Sequence, residues 1–209
     1  MPKSATISGV QFDRFIQSSF RIKSGDTVIY IDPHRITAGE TADLVLITHE
    51  HFDHMDPASI KVVEGAGTVI VANAPCARQL QGKVKARIVS IEEGQSVTEQ
   101  GVQVRAVPGY NDIHRRGHNV GFVFELGGLT IYHAGDTGHV PEMKSLGAID
   151  VALLPIGGTY TMDEHQAAEA VKDIRPKVAV PMHYGYATGG DPRKFASLVG
   201  KAAEVVILE

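Results

Sequence analysis

Four side chains that can bind a metal ion fall within six consecutive positions of the sequence, at His49, His51, Asp53 and His54. They directly follow the apolar run 44–47, which is typical of a buried strand. In an extended chain, residues two apart point to the same side, so His49 and His51 are placed to bind one ion together. Asp53 and His54 come where the chain must turn, and they can reach a second ion. The spacing therefore predicts a metal site.

Further ligands are expected where other buried strands end, because strand ends converge on one edge of a sheet. Asp136 follows the predicted strand 129–133, and its carboxylate is suited to bridge two cations because it neutralises charge. The alternative is an ordinary turn aspartate beside glycine. His183 ends the predicted strand 178–182 and is a candidate ligand, with a structural histidine as its alternative.

Two assignments stay open on spacing alone. His114 and His118 both lie in the polar loop 108–119, and either one can complete a site with the histidines of the first cluster. Asp32 precedes a proline at the end of a predicted strand. It is interpreted either as a turn-capping residue or as an acceptor for the N–H of a ligating histidine.

The elements that must position these residues alternate along the chain. Glycine and proline at element ends, together with the aspartates at Asp56 and Asp191, mark the boundaries. Thr161 to Glu164 matches a capping box at the start of a helix that ends near Ile174. The predicted strands are Phe15–Lys23, Thr27–Ile31, Asp43–Ile47, Thr68–Ala72, Ala86–Ile91, Gln95–Thr98, Val102–Val107, Val120–Leu126, Leu129–His133, Asp150–Leu154, Val178–Met182 and Ala203–Leu208, and the other predicted helices are Ala58–Glu64, Ala74–Leu80 and one that begins at Asp191-Pro192.

This order has two phases, each a block of strands that gives way to alternating strands and helices. Two sheets packed face to face with helices outside would satisfy it, which predicts an α+β fold in the form of a four-layer αββα sandwich. The 209 residues and 43% hydrophobic content suit one sizeable core, so a single domain over residues 1–209 is expected.

Composition limits the partners. The net charge is −4 and the basic residues are spread out, which argues against a nucleic-acid partner. The single cysteine, Cys76, excludes an intramolecular disulfide framework. No apolar stretch resembles a signal peptide or a membrane span, so a soluble cytoplasmic protein without a membrane partner is expected. A homo-oligomer is compatible with the sequence, which leaves the oligomeric state open.

The motifs resemble those of the metallo-β-lactamase fold superfamily. Residues 49–54 match its His-x-His-x-Asp-His signature, and residues 134–137 and 181–184 resemble its later motifs in the same order. Asp32-Pro33 and residues 154–158 look like a branch of small bacterial and archaeal metal-dependent hydrolases, related to ascorbate-6-phosphate lactonase-type proteins. The resemblance covers nearly the whole chain.

The resemblance implies a first metal site of His49, His51 and one further histidine. It also implies a second site, with a bridging carboxylate between the two. The segment 110–117 resembles relatives in which a Tyr-Asn pair precedes the histidine, which favours His114 over His118 as the remaining ligand. The second site is implied to consist of Asp53, His54 and His183, with Asp136 bridging.

The resemblance also bears on the reaction. Flavodiiron oxidoreductases of this superfamily carry a glutamate where His51 stands, so His51 favours hydrolysis over redox chemistry. We expect a hydrolase with two divalent cations, zinc first, with manganese, iron or nickel as alternatives. A metal-activated hydroxide would attack a small ester, lactone or phosphoester, and Asp53 would accept a proton. His118, His139 and Tyr160 are candidate substrate-binding residues.

Three other functions compete with this one. They are a metal-dependent phosphodiesterase or nuclease, redox chemistry at two irons, and a metal-binding protein without catalysis.

Overall fold

The fourteen strands of the computed structural model, which describes residues 3–208, form two seven-stranded sheets. The first sheet contains β1 to β7 and the second contains β8 to β14, each in sequence order across the sheet. The strands are β1 (Lys3–Ile7), β2 (Val10–Arg14), β3 (Phe20–Ser24), β4 (Thr27–Ile31), β5 (Leu44–Ile47), β6 (Val69–Ala72), β7 (Arg87–Ser90), β8 (Ser96–Glu99), β9 (Val102–Gly109), β10 (Asn119–Leu126), β11 (Leu129–His133), β12 (Val151–Pro155), β13 (Val178–Met182) and β14 (Glu204–Val205).

The two sheets share one plan. Strands β1 to β4 pair antiparallel, and β4 to β7 then pair parallel. In the second sheet β8 to β11 pair antiparallel, and β11 to β14 pair parallel. Parallel pairing requires crossover connections, and helices or long loops supply them.

The helices are α1 (Pro57–Val63), α2 (Ala74–Leu80), α3 (Glu164–Ile174) and α4 (Pro192–Val199), with a short 3₁₀ helix at Pro141–Ser145. Each α-helix begins at a side-chain cap, as in α1, where Asp56 Oδ1 accepts a hydrogen bond from the Ala58 amide at 3.0 Å. The box predicted at Thr161 to Glu164 was wrong by two residues, since Asp163 is the N-cap and Gln166 its partner. Both pairs fit the box pattern, but only Asp163 stands at the helix boundary.

Two apolar layers hold the fold together. One lies between the sheets and continues beneath α3 and α4, where it includes Val171 and Phe195. The other lies on the outer face of the first sheet and includes Ile60 of α1 and Leu80 of α2. The structure therefore confirms the α+β fold and its four-layer αββα arrangement.

Two predicted strands are much shorter in the structure. The predicted strand Phe15–Lys23 begins only at Phe20, as β3, because residues 15–19 form a turn closed by hydrogen bonds between Phe15 and Ser19 and between Ser19 and Ile16. The predicted strand Ala203–Leu208 is reduced to Glu204–Val205, because only these two residues pair with β13. In residues 3–208 no helix is long and apolar enough to cross a membrane.

The parallel strands deliver polar residues to one edge of the fold. Asp32 follows β4, residues 48–54 follow β5, Asp136 follows β11 and His183 follows β13. The carboxyl ends of neighbouring parallel strands share an edge, so these loops lie side by side. They form the candidate site.

Candidate metal centre

The loop after β5 folds back immediately after its second histidine. The His51 carbonyl accepts hydrogen bonds from the amides of His54 at 3.0 Å and Met55 at 2.8 Å. This turn brings Asp53 and His54 back toward the strand end that carries His49. One short segment thereby supplies ligands to two adjacent groups.

The first group contains His49, His51 and His114. The Nδ1 atom of His51 lies 3.1 Å from His49 Nε2 and 3.2 Å from His114 Nε2. His49 and His114 are buried, whereas the ring of His51 is exposed to solvent. Three nitrogens therefore converge on one point next to the surface.

The second group contains Asp53, His54 and His183. The Asp53 Oδ2 atom lies 3.8 Å from His54 Nε2 and 4.0 Å from His183 Nε2. His183 is buried and has a left-handed backbone with φ of 55°. That conformation costs a non-glycine residue free energy, and it directs the residue after β13 toward the site.

Asp136 lies between the two groups. Its Oδ2 atom is 3.9 Å from His49 Nε2, 3.7 Å from His114 Nε2 and 3.1 Å from His183 Nε2. Its Oδ1 atom is 3.3 Å from His54 Nε2. The single carboxylate of Asp136 thus faces histidines of both groups, which is the position that a bridging ligand requires.

Asp32 orients two of the histidines from behind. Its Oδ2 atom accepts a hydrogen bond from Thr48 Oγ1 at 2.7 Å and lies 2.7 Å from His54 Nδ1. Thr48 Oγ1, which donates to Asp32, lies 3.0 Å from His49 Nδ1 and accepts from it. In the neutral rings that metal binding requires, the proton of each is thereby held at Nδ1, and the lone pair of each Nε2 faces the site. Of the two interpretations of Asp32, the structure supports the acceptor.

The other two buried histidines of the two groups, His114 and His183, have similar partners. His114 Nδ1 lies 3.2 Å from Asn111 Oδ1, which also accepts the His114 amide. His183 Nδ1 lies 3.4 Å from Thr188 Oγ1, whose own hydrogen is donated to the His183 carbonyl at 2.8 Å. Both arrangements hold the ring proton at Nδ1 and turn the lone pair of Nε2 toward the site.

The charges of the site are strongly coupled. Burial opposes the charged form of His54, but the Asp136 and Asp32 carboxylates raise its pKa well above the usual range. Burial likewise opposes ionisation of Asp136, yet His54 and His183 hold the pKa of its carboxyl well below the usual range. Burial and the neighbouring His54 keep the pKa of His49 low. The centre therefore combines an anionic carboxylate with imidazoles whose nitrogens face it.

These residues fit divalent cations. Ligand atoms about 2.0–2.2 Å from one ion are separated by roughly 3.0–3.4 Å. Four of the eight separations given above between ligand atoms fall in that range, and the other four are 3.7–4.0 Å. The buried atoms His54 Nε2 and Asp136 Oδ1 face each other at 3.3 Å without a hydrogen bond of ordinary geometry, and a cation bound by both would satisfy them. Imidazole and carboxylate are the ligand types of zinc, manganese, iron and nickel.

The remaining predicted residues are distributed around the site. His118 is not in either group: its side chain is 59% exposed, and its Nδ1 lies 3.6 Å from Glu50. It lines a cavity of about 220 Å³ beside the first group. Tyr160 lines a larger cavity of about 400 Å³ over the second group. His139 was expected near substrate but lines neither cavity, because its Nε2 is held 2.8 Å from Asp173 on α3.

Several residues of the site carried no signal in the sequence. Thr48 and Thr188 act only through the histidines that they orient, His49 and His183, which lie one and five residues away in the sequence. Gln17 lies beside Asp53 and His183 although it is distant from both in the sequence. A hydrogen-bond partner of each ligating histidine was nevertheless to be expected on general grounds.

Comparisons with known proteins bear on the family of the chain. Residues 13–183 match the family model described as the beta-lactamase superfamily domain. A metal-dependent hydrolase from Thermococcus kodakarensis is 38% identical over an alignment of 197 positions, which covers 89% of this chain and 85% of that protein. The predicted relation to ascorbate-6-phosphate lactonase-type proteins stays a prediction.

Two solved structures share the fold over nearly their full length. A protein from Parabacteroides distasonis, described as a metal-dependent hydrolase, has a TM-score of 0.88 and 31% identity, covering 100% of this chain and 98% of that one. Igni18, a metallo hydrolase from the hyperthermophilic archaeon Ignicoccus hospitalis, has a TM-score of 0.82 and 31% identity, covering 96% and 95%. The matched family model and these relatives show that the chain belongs to the metallo-β-lactamase superfamily.

Proposed function

We propose that this metal-dependent hydrolase of the metallo-β-lactamase superfamily holds two divalent cations and cleaves a small carboxylic ester or lactone. The observation that carries the proposal is the convergence of seven side chains from four distant segments on two adjacent points. They are His49, His51 and His114 at the first point, Asp53, His54 and His183 at the second, and Asp136 between them.

The chemistry divides between the cations and the chain. Two bound cations would lower the pKa of a water between them and polarise the oxygen of the scissile group. Asp53 is 9% exposed and borders the larger cavity, so its carboxylate can accept the proton that the attacking water loses. Asp32 and Thr48 fix the rings of His49 and His54, so the ligands need little reorganisation when substrate binds.

The larger cavity favours a substrate with an apolar part. In the described residues 3–208 there are five exposed large apolar side chains, and three of them, Phe52, Ile113 and Tyr160, line this cavity. Phe52 is 70% exposed, which leaves its ring available to a ligand. Neither lysine nor arginine is among the residues that line this cavity, so no basic side chain there matches a phosphate group. The walls of this cavity therefore suit an acyl or alkyl group better than a phosphate group.

The reaction can be tested with a substrate panel. Protein loaded with Zn²⁺ or Mn²⁺ is expected to hydrolyse p-nitrophenyl acyl esters and small lactones, with kcat/KM rising from the acetyl to the hexanoyl ester. Each methylene buried against Phe52, Ile113 or Tyr160 contributes up to about 0.8 kcal/mol, which is roughly fourfold in kcat/KM. Phosphomonoesters and bis-p-nitrophenyl phosphate complete the panel.

Other results would point to the competing functions. A preference for the phosphodiester would favour a phosphodiesterase or nuclease. Full loading with two cations and no turnover of any ester, lactone or phosphoester would favour a metal-binding protein without catalysis. Equal rates for acetyl and hexanoyl esters would contradict the role of the apolar walls.

Asparagine in place of Asp32 is expected to weaken cation binding about 10–100-fold, the usual cost of losing a partner that orients a ligating histidine. The variant loses the charge that accepts from Thr48 and His54. Isothermal titration with Mn²⁺ measures the loss. Asp43→Asn is the matched control, since Asp43 accepts the Val28 amide at the opposite end of β4 and β5. Equal affinities in the two variants would contradict the role given to Asp32.

A further inference from the structure

We propose that Gln17 is an additional ligand of the second cation, which it binds through its side-chain amide oxygen. This inference rests on the proposed function, because it adds a ligand to the group of Asp53, His54 and His183. Glutamine is not among the residue types that the sequence pattern indicated as ligands, and its position between β2 and β3 is far from the histidine cluster along the chain.

The main chain of Gln17 is fixed to the segment that carries His183. The Gln17 carbonyl accepts hydrogen bonds from the His183 amide at 3.0 Å and from Arg14 Nε at 3.3 Å. Arg14 also donates to the Tyr184 carbonyl at 2.7 Å, so one guanidinium joins the two segments. Gln17 has a left-handed backbone, with φ of 51°, as His183 does. Two residues in this costly conformation are thus held together at the site.

The side chain of Gln17 is completely buried and ends at the second group. Its Nε2 position lies 3.3 Å from His183 Nε2 and 3.5 Å from Asp53 Oδ2. These separations match those between the other proposed ligands, such as the 3.3 Å between His54 Nε2 and Asp136 Oδ1. An amide terminus at that place is within the reach of an ion bound by Asp53 and His183.

The opposite end of the amide is unsatisfied. Gln17 Oε1 is buried and has no hydrogen-bond partner, which is unfavourable for a polar atom. The oxygen and the nitrogen of the amide exchange places by a half-turn about the terminal side-chain bond. Either orientation is therefore available to the Gln17 side chain.

A bound cation selects the orientation with oxygen inward. In the present arrangement the Gln17 NH₂ group points at the lone pair of His183 Nε2 and at the Asp53 carboxylate. When a cation is bound, His183 Nε2 and the Asp53 carboxylate would direct their lone pairs to the cation. The cation would then repel the partial positive charge of the Gln17 NH₂ group. The half-turn replaces this repulsion with a neutral oxygen ligand. Amide oxygens suit harder cations, so the second site would favour Mn²⁺ over Zn²⁺ more strongly than the first.

Mn²⁺ titration of the metal-stripped full chain tests the assignment. Wild-type protein is expected to bind two Mn²⁺, and Gln17→Met to bind the second about 10–100-fold more weakly while the first constant is unchanged. Gln17→Glu keeps an oxygen at the same position and adds charge, so it is expected to bind the second Mn²⁺ at least as tightly as wild type. Gln11→Met is the matched control, because Gln11 lies on β2 and binds Asp13 away from the site.

The outcomes separate the two proposals. Two Mn²⁺ in wild type with an unchanged second constant in Gln17→Met would overturn the ligand assignment alone. Weakened binding in Gln17→Glu as well would also overturn it, since that variant retains the oxygen. A wild-type chain that never retains a second cation would overturn the proposed function, and the assignment of Gln17 with it.

Discussion

Replacing Asp136 by asparagine is expected to abolish hydrolysis and to reduce the cation content from two per chain to one or fewer. Asp136 is almost completely buried, and its carboxylate lies within 3.1–3.9 Å of four histidine nitrogens that belong to both groups. Asparagine keeps the shape but removes the charge that two adjacent cations need. Loss of several kcal/mol of charge stabilisation in the transition state corresponds to about a 10³-fold or larger loss of kcat/KM.

The measurement combines metal analysis with the ester assay. Asp173→Asn is the matched control. Asp173 lies on α3, pairs with His139 and lines neither cavity of the site. Circular dichroism shows whether Asp136→Asn retains its fold, which Asn119 supports by hydrogen bonds to the main chain of residue 136. A folded Asp136→Asn protein with two cations and wild-type turnover would exclude a bridging carboxylate at this position.

The fold was largely predictable because its signals are local. The Asp56 cap followed by Pro57 marks the start of α1, and the hairpin turn at 25–26 sets the register of β3 and β4. These features depend on neighbouring residues, so the sequence alone specifies them. The short β14 was overpredicted because pairing with β13, and not the apolar content of 203–208, decides where it ends.

The site was predictable only where ligands are close in sequence or end a strand. His49, His51, Asp53 and His54 are adjacent in the chain, and Asp136 and His183 follow parallel strands that must share an edge. Spacing alone did not choose between the two histidines of the loop. The resemblance favoured His114, and the structure brings only the ring of His114 to the cluster. The hydrogen-bond partner of His183, the Thr188 hydroxyl, also could not be predicted from the sequence, because the backbone turn after β13 determines which hydroxyl lies next to the ring.

The exposed His51 offers a test of the first cation site that does not disturb the core. His51→Ala is expected to remove one cation per chain and to lower kcat/KM about 10²–10³-fold, since one of two charge-stabilising ions is lost. Its Nδ1 is the atom that lies within 3.1–3.2 Å of both His49 Nε2 and His114 Nε2. Because the ring is exposed, little apolar burial is lost with it, and the thermal midpoint of the metal-stripped protein should hardly change.

His118→Ala is the matched control for His51→Ala. It also removes an imidazole ring from the wall of the 220 Å³ cavity, which His51 and His118 both line. His118, however, faces Glu50 and lies outside both ligand groups. The control is therefore expected to keep two cations, whatever it does to substrate affinity. If His118→Ala lost a cation and His114→Ala did not, the first site would be built from the other histidine of this loop, and the assignment of His114 would be wrong. If His51→Ala kept both cations, His49 and His114 would have to bind the first ion without it, and the three-histidine site would fail.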